Sequence, residues 1–199
     1  ELMRHPKITA YTTIWMDTLR DGTFQLVNTN KLIRHYSGAT GLKTGTTSKA
    51  GHCLSATASR DGMGLCAVIL GCTTTDERFG GARKMLDYGF ANYAVYTPQV
   101  DESALTPVRV LRGVETTVQP QMDALSPLLI KKGQEKEITQ SFELAENLEA
   151  PVYERQIIGK LTLTLDGGVA AEYDVYAARA VERLGFGRAF ARLFTALIA

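Results

Sequence analysis

Gly41-Leu42-Lys43-Thr44-Gly45-Thr46-Thr47 is the stretch around which this chain of 199 residues is organised. Its leucine and threonines favour a β-strand, and its central glycine lets another molecule approach the backbone because no side chain blocks it. Two β-rich runs follow, Cys53–Ser59 and Leu65–Gly71, with Asp61-Gly62 between them. An Asp-Gly pair between two such runs predicts a hairpin. We therefore expect the stretch to be a strand beside an antiparallel hairpin.

A change of hydrophobic period after the hairpin predicts a helix that packs on this sheet. Apolar residues then recur at spacings of three and four: Phe79, Ala82, Leu86, Phe90 and Tyr93. Thr74 or Thr75 can cap the start of the helix. The acidic pair that follows, Asp76 and Glu77, suits the first turn, and we expect the helix to end near Asn92.

Upstream of the central stretch, the β-branched and aromatic residues of Thr9–Arg20 predict a strand or an extended segment. Asp21-Gly22 predicts a turn, and Thr23–Val27 predicts the returning strand. The chain opens with Glu1-Leu2-Met3-Arg4, which we interpret as the tail of a helix closed by Pro6. Because the chain begins with Glu rather than Met, we expect further sequence upstream of it.

Several segments of the N-terminal half, taken together, indicate a protein family more specifically than any single segment does. They are Asn28–Leu32, Gly41–Thr47, Ala50–Ala58, Arg78-Phe79 and Leu86–Phe90. Lys43-Thr44-Gly45 also matches the third signature of penicillin-binding proteins and serine β-lactamases, after Ser-x-x-Lys and Ser-x-Asn. Together the segments resemble D-alanyl-D-alanine carboxypeptidases, the low-molecular-weight penicillin-binding proteins of serine peptidase family S11. The resemblance implies an α+β fold, the C-terminal part of a β-lactamase-like transpeptidase domain in which an antiparallel sheet packs against a helix.

The resemblance also implies a reaction, the removal of the terminal D-alanine from peptidoglycan stem peptides through an acyl-serine intermediate. In the family the Lys-Thr-Gly strand forms one wall of the active-site cleft, and Lys43 and Thr46 would be its catalytic residues. Lys43 would place a positive charge beside the cleft, and the Thr46 N–H would donate to the oxyanion. The Thr44 and Thr46 hydroxyls would bind the substrate carboxylate, beside Gly45. Arg78 would pair with the terminal D-alanine carboxylate. Some relatives carry His where Thr46 stands, which bears on rate and substrate preference. No metal or organic cofactor is implied.

The serine nucleophile of this reaction is not encoded in the chain. No Ser is followed three residues later by Lys, and none is followed two residues later by Asn. Both signatures precede Lys-Thr-Gly in the family, so we expect them in an N-terminal half of the same enzyme, and we expect this chain alone to be inactive. Two alternatives remain open: a β-lactamase or esterase of the same fold, and a non-catalytic protein that binds the cell wall or a partner.

Beyond a catalytic part at 1–96, the composition shifts to prolines and short β-rich runs, which predicts a small all-β domain at 97–176. The expected strands are Val108–Leu111, Thr116–Val118, Leu128–Lys131, Glu137–Phe142, Gln156–Leu165 and Ala170–Tyr176. Asp166-Gly167-Gly168 joins the last two as a turn. The alternation of Leu161, Leu163 and Leu165 predicts a half-buried strand. This domain carries no set of catalytic residues, and we expect it to be a spacer or docking module.

The tail at 177–199 is predicted to be an amphipathic helix. Its apolar face consists of Phe186, Phe190, Leu193, Phe194 and Leu197, and its polar face includes Arg188, Arg192 and Thr195. Such a helix suits the plane of a membrane surface, and the alternative is a helix docked on its own domain. The resemblance favours an anchor. It implies an exported bacterial protein on the outer face of the cytoplasmic membrane that meets stem peptides and β-lactams.

Charge, hydropathy and cysteine placement exclude other classes of function. The net charge of +1 gives no basic field for nucleic acid, and no apolar run reaches the roughly 18 residues that span a bilayer. The three histidines, His5, His35 and His52, lack the spacing of metal ligands. The hairpin register places Cys53 opposite about Leu70 and Cys66 opposite about Thr57, so these cysteines are not cross-strand partners. We expect them and Cys72 to be small buried thiols.

Overall fold

The computed structural model describes residues 1–191 and divides the chain into two compact units. The first unit comprises residues 1–95 and 129–132. The second comprises residues 96–128 and those from 133 onward. Each unit has its own hydrophobic core and is described by itself.

The first unit is built on an antiparallel sheet of three strands in the order β3-β4-β5. These strands are Ala39–Thr47, Gly51–Arg60 and Met63–Cys72. The turn between β4 and β5 consists of Asp61 and Gly62, whose φ angles are 49° and 77°. Aspartate and glycine tolerate such left-handed angles, which a tight hairpin requires. The predicted hairpin and the central strand are therefore confirmed.

Helix α3, Thr75–Asn92, packs on this sheet as the apolar spacing predicts. The Thr74 hydroxyl accepts from the Glu77 N–H at 3.2 Å, and the Glu77 carboxylate accepts in return from the Thr74 N–H. This reciprocal pair satisfies N–H groups that no helical carbonyl reaches, and it fixes where the helix begins. The core between helix and sheet includes Phe79, Ala82, Leu86, Phe90, Leu54, Ala56, Ala58 and Ala67.

The segment before β3 differs from the prediction in part. After a short 3₁₀ turn at Leu2–Arg4 come α1, Pro6–Thr12, the hairpin strands β1, Met16–Leu19, and β2, Phe24–Val27, and then α2, Leu32–His35. The prediction that the extended segment begins at Thr9 is wrong, because Thr9–Thr12 is helical. Pro6 begins this helix rather than closing one, since a first-turn proline lacks only an N–H that has no helical partner. The Thr12 hydroxyl donates to the Thr40 carbonyl at 2.7 Å and attaches α1 to β3.

A second small sheet completes the first unit. Strand β6, Tyr93–Tyr96, pairs with β10, Leu128–Lys131. The Lys132 N–H donates to the Asn92 carbonyl at 2.9 Å, and its ammonium donates to the Phe90 carbonyl at 2.7 Å. The strand at Leu128–Lys131 is thus formed as predicted, and residues 129–132 belong to the first unit.

The second unit is an all-β structure of two sheets. The larger has the order β11-β13-β14-β9, and the smaller has the order β12-β7-β8. Their strands are β7 Val108–Leu111, β8 Thr117–Val118, β9 Pro120–Gln121, β11 Thr139–Leu144, β12 Asn147–Glu149, β13 Ile157–Leu165 and β14 Gly168–Ala177. Short 3₁₀ turns lie at Glu102–Ala104 and Gln134–Lys136. Leu161 and Leu163 are fully buried, which confirms the alternation in β13. The parallel pairing of β12 with β7 was not predicted.

The tail departs from the predicted helix at its start. Residues 178–185 are not helical: Val181 pairs with Val152 and is only 2% exposed. The helix begins at residue 186 instead of 177, and Phe186 and Phe190 are exposed on it. The remaining residues of the prediction, Arg192, Leu193, Phe194, Thr195 and Leu197, lie outside the described residues. Between residues 1 and 191, no helix combines the length and apolar character that crossing a bilayer requires.

The cysteines are less buried than predicted. Cys66 is exposed, and Cys53 and Cys72 are partly exposed free thiols. Cys66 pairs with Thr57 as the hairpin register predicts. Its neighbour Ala67 points into the core beneath α3, so Cys66 points to the opposite face of the sheet. The prediction of buried thiols is therefore wrong.

Candidate active site

The Lys-Thr-Gly segment lies on an edge strand. In the described part of the chain β3 pairs only with β4, where Lys43 lies opposite Ser55 and Thr46 opposite His52. An edge strand directs alternate N–H and C=O groups away from the sheet, where a ligand can reach them. The strand thus offers backbone donors and acceptors along its open side.

A buried asparagine holds the start of this strand in place. Asn30 is only 1% exposed, and its amide donates to the Gly41 carbonyl at 3.0 Å. Its side-chain oxygen accepts from the Leu32 N–H at 3.2 Å, and its own N–H donates to Asn28 at 2.9 Å. These bonds connect the loop before α2 to β3. The sequence resemblance included this loop but assigned it no role.

Lys43 is an exposed cation beside the open edge. Its ammonium donates to the Thr44 carbonyl. It shares a shallow depression with Trp15 and Thr29, which come from the segments before and after the first hairpin. No acidic side chain pairs with Lys43 among the described residues. Its charge is therefore available to a neighbouring group or ligand.

Thr44 points inward rather than toward the open surface. It is 7% exposed, and its hydroxyl lies 2.6 Å from the hydroxyl of Thr29. A buried hydroxyl that is already paired contributes to the position of the strand. Contact between Thr44 and a substrate would require this pair to open.

Arg78 comes from the first turn of α3 and is buried against the strand. Its Nη1 lies 3.4 Å from the Gly45 carbonyl, 3.2 Å from the Thr46 hydroxyl and 3.3 Å from the Cys53 carbonyl. The residue is only 6% exposed, so Arg78 is not a solvated surface arginine.

The remaining donors of Arg78 are unused. Its Nε is buried and has no hydrogen-bond partner among the described residues, and no described residue pairs with Nη2. The guanidinium also lies over the Phe79 ring, 4.9 Å from the ring centroid, which offsets part of its charge. Its remaining N–H groups still favour an anion, since a buried cation is stabilised by a negative partner. Carboxylates fit the planar guanidinium particularly well.

A histidine that the sequence analysis assigned no role completes this cluster. His52 Nδ1 lies 3.2 Å from the Thr46 hydroxyl and 3.4 Å from the Thr75 hydroxyl. The residue is partly exposed, and Thr46 is exposed. The strand register could have identified His52 from the sequence. The turn that pairs Thr47 with Gly51 places Thr46 opposite His52.

Glu77 is the acidic group associated with this cluster, and it is engaged elsewhere. The Thr73 hydroxyl, followed by the N–H groups of Thr74 and Thr73, lowers the pKa of the Glu77 carboxyl. The carboxylate is therefore an ionised helix cap. Among residues 1–191, no group of three His, Cys, Asp or Glu side chains is placed to hold a metal.

Comparison with known proteins identifies the family. Residues 1–74 match the family profile of D-alanyl-D-alanine carboxypeptidase, and residues 93–183 match that of the penicillin-binding protein 5 C-terminal domain. The chain belongs to the D-alanyl-D-alanine carboxypeptidase family. The α+β fold inferred from the sequence and the recognition of this family are confirmed.

Individual relatives of the carboxypeptidase family cover both units. D-alanyl-D-alanine carboxypeptidase DacF of Bacillus subtilis is 34% identical over 190 residues, which is 94% of this chain and 49% of the relative. DacC of Escherichia coli is 32% identical over 147 residues, 73% of this chain and 37% of the relative. The crystal structure of penicillin-binding protein 5 from Haemophilus influenzae superposes with a TM-score of 0.71 at 28% identity, over 91% of this chain and 53% of that one. The chain therefore spans about half the length of such relatives.

Proposed function

We propose that this chain forms one wall of the active site of a serine-type D-Ala-D-Ala carboxypeptidase. The observation that carries the proposal is Arg78, a buried cation with unused donors, held at the Gly45-Thr46 end of an exposed Lys-Thr-Gly edge strand. A peptide that ends in a free carboxylate presents an anion that the free N–H groups of Arg78 can bind. The family membership supplies the reaction class.

The proposed roles follow from where each residue lies. Lys43 stabilises negative charge that develops beside the cleft and attracts the substrate carboxylate. Thr46 supplies a hydroxyl for the carboxylate and a backbone N–H for the oxyanion, while Gly45 keeps the approach open. Arg78 binds the terminal carboxylate through charge-assisted hydrogen bonds. We reassign Thr44 from substrate contact to positioning, since its hydroxyl is paired with that of Thr29.

The proposed enzyme needs a second polypeptide segment. The nucleophilic serine with its lysine, and the serine of Ser-x-Asn, would come from the N-terminal half of the same enzyme, and this chain alone would be inactive. Stem peptides are the proposed substrate and β-lactams the proposed inhibitors, because both acylate the same serine in this family. The proposed location is the outer face of the bacterial cytoplasmic membrane, with residues 186–199 as the anchor.

The assay that tests this function compares two substrates on the complete enzyme. We expect release of D-alanine from an acylated Lys-D-Ala-D-Ala peptide and slow, stoichiometric acylation by a penicillin. Rapid, repeated hydrolysis of the penicillin without D-alanine release would instead support the β-lactamase alternative. Absence of both reactions, in an enzyme that carries Ser-x-x-Lys and Ser-x-Asn, would support a non-catalytic wall-binding protein.

A further inference from the structure

His52 and Thr46 form a polar pair whose hydrogen-bond direction is not fixed by the fold. The two residues face each other across β3 and β4, with 3.2 Å between His52 Nδ1 and Thr46 Oγ1. A threonine hydroxyl has one proton to donate and two lone pairs that accept. An imidazole nitrogen donates when it carries a proton and accepts when it does not.

Arg78 already occupies one side of the Thr46 hydroxyl. Its Nη1 lies 3.2 Å from Thr46 Oγ1, and a guanidinium N–H can only donate. One lone pair of the hydroxyl is therefore used. The second lone pair and the single proton of the hydroxyl remain. The protonation of His52 Nδ1 determines which of these two bonds the ring and which faces the open site.

We propose that His52 is a positioning residue that sets whether the Thr46 hydroxyl presents a proton to an anionic ligand. When Nδ1 carries a proton it donates to the second lone pair, so the Thr46 proton points into the open site and donates to a carboxylate. When the ring is neutral with its proton on Nε2, Nδ1 is bare, the Thr46 hydroxyl donates to Nδ1, and only an oxygen lone pair faces the ligand. The inference deepens the proposed function, on which it rests, and assigns the carboxylate-terminated substrate a dependence on the protonation of this histidine.

The neighbours of His52 fit this role. Thr75 lies slightly further from Nδ1, at 3.4 Å, and holds the ring from the helix side. Two charged groups of α3 interact with this pair: Glu77 interacts electrostatically with His52, and Arg78 bonds Thr46. Cys72 faces His52 from β5. Lys49, from the turn after β3, lines an open depression together with Thr46 and His52.

The first test measures steady-state kinetics of the complete enzyme between pH 5 and 8, the range in which histidine side chains change charge. We expect KM for the peptide to rise roughly two- to tenfold with pH, the worth of one hydrogen bond, while kcat changes less. Neither His52→Gln nor His52→Ala carries a titratable ring, so KM should not change with pH in this range in either variant. His52→Ala also removes the ring acceptor and leaves the Thr46 proton free for the ligand, so its KM should stay near the low value of the wild type at pH 5. A wild-type KM that follows the same flat profile as both variants would overturn the proposal.

The second test needs no turnover and uses the complete enzyme. The histidine side-chain nitrogens are followed by NMR while N-acetyl-D-alanine is added as a carboxylate probe, and its methyl ester serves as the uncharged control. Because the probe binds best when Nδ1 is protonated, it should move the titration midpoint of His52 to higher pH and leave that of His35 unchanged. Thr46→Val should abolish the movement. Equal effects of the acid and the ester, or an unchanged His52, would contradict the proposal. A complete enzyme that releases no D-alanine while this linkage holds would contradict the proposed function instead.

Discussion

At the scale of single residues, the sequence identified the type of chemistry but not the direction of every side chain. Arg78 contacts Thr46 near one end of β3, whereas Lys43 lies in a separate depression beside Trp15 and Thr29. Thr44 turns inward because its neighbour across the loop is another hydroxyl, Thr29, and a local motif contains no information about that partner. His52 was overlooked because its relevance lies in the cross-strand register, which becomes visible only when two strands are aligned.

Replacing Lys43 should slow acylation of the complete enzyme by both the peptide and penicillin. An oriented charge in a desolvated site is commonly worth about 3 kcal/mol, so Lys43→Ala should lower both rates on the order of a hundredfold. Stopped-flow acylation measures this directly. Lys84→Ala, which removes an exposed lysine from α3, serves as the control. Wild-type rates in Lys43→Ala would remove this residue from the active site.

Replacing Arg78 should affect the peptide more than penicillin. A lost charge-assisted hydrogen bond costs about 1.5 to 3 kcal/mol, so Arg78→Ala should lower kcat/KM for D-alanine release roughly ten- to a hundredfold. Acylation by penicillin, whose carboxylate sits on the thiazolidine ring rather than on a terminal D-alanine, should fall less. Arg83→Ala, an exposed arginine on the same helix, should change neither rate. Small and equal losses in both reactions would make Arg78 a structural residue.

At the scale of elements, hydrophobic period predicted best where one element packs against one neighbour. Helix α3 is capped by Thr74 and ends at Asn92, as predicted. The prediction was accurate because the apolar spacing and the acidic first turn both indicated the same helix. The segment at Thr9–Thr12 was misjudged, since β-branched residues favour strands only on average. Here a first-turn proline begins a helix, and the Thr9 hydroxyl donates to the Pro6 carbonyl at 2.8 Å.

The contact between α2 and α3 predicts a loss of stability at alkaline pH. The Tyr36 hydroxyl donates to Asp87 at 2.7 Å. Burial and this bond raise the pKa of Tyr36 from 10.0 to about 12. A raised pKa means that folding favours the protonated phenol. The contribution is thus complete below pH 10 and is lost as the pH rises toward 12, by roughly 2 to 3 kcal/mol.

Urea unfolding at pH 9 and pH 11.5 measures this contribution. The unfolding free energy of the wild type should fall more steeply with pH than that of Tyr36→Phe. Tyr88→Phe is the matched control, because Tyr88 is 63% exposed on α3, next to Asp87, and the variant should behave like the wild type. Parallel pH profiles for all three proteins would show that the Tyr36–Asp87 bond does not contribute.

At the scale of the whole molecule, non-local pairings were the part that the sequence could not reveal. Strand β10 is separated from β6 by more than thirty residues, yet the two pair, and β12 joins β7 in parallel. Neither pairing leaves a local pattern. The first unit also exposes apolar side chains on the sheet face away from α3: Val68 is 54% exposed and Leu70 is 74% exposed. Such side chains suit a covering partner, since burial gains about 25 cal/mol per Å².

The tail gives a prediction about membrane attachment. Phe186 is 87% exposed and Phe190 is 61% exposed, and aromatic side chains at a helix surface favour a lipid interface. Ending the chain after Gly185 should abolish sedimentation with phosphatidylglycerol vesicles and leave activity on soluble peptide unchanged. A shorter chain that ends after Ala178 would also lose the buried Val181, so it would not test the helix alone. Equal sedimentation of the full and shortened proteins would show that the helix is not an anchor.

The central claim is that this chain is the Lys-Thr-Gly wall of an acyl-serine enzyme whose nucleophile lies on another segment. The most direct measurement co-expresses the 21.7 kDa chain with a separate polypeptide that carries Ser-x-x-Lys and Ser-x-Asn, adds fluorescent penicillin and separates the two under denaturing conditions. We predict label on the second polypeptide, no label on this chain, and much slower labelling when this chain is omitted or carries Lys43→Ala. Label on the 21.7 kDa chain, or equally fast labelling of the other polypeptide without it, would contradict the account.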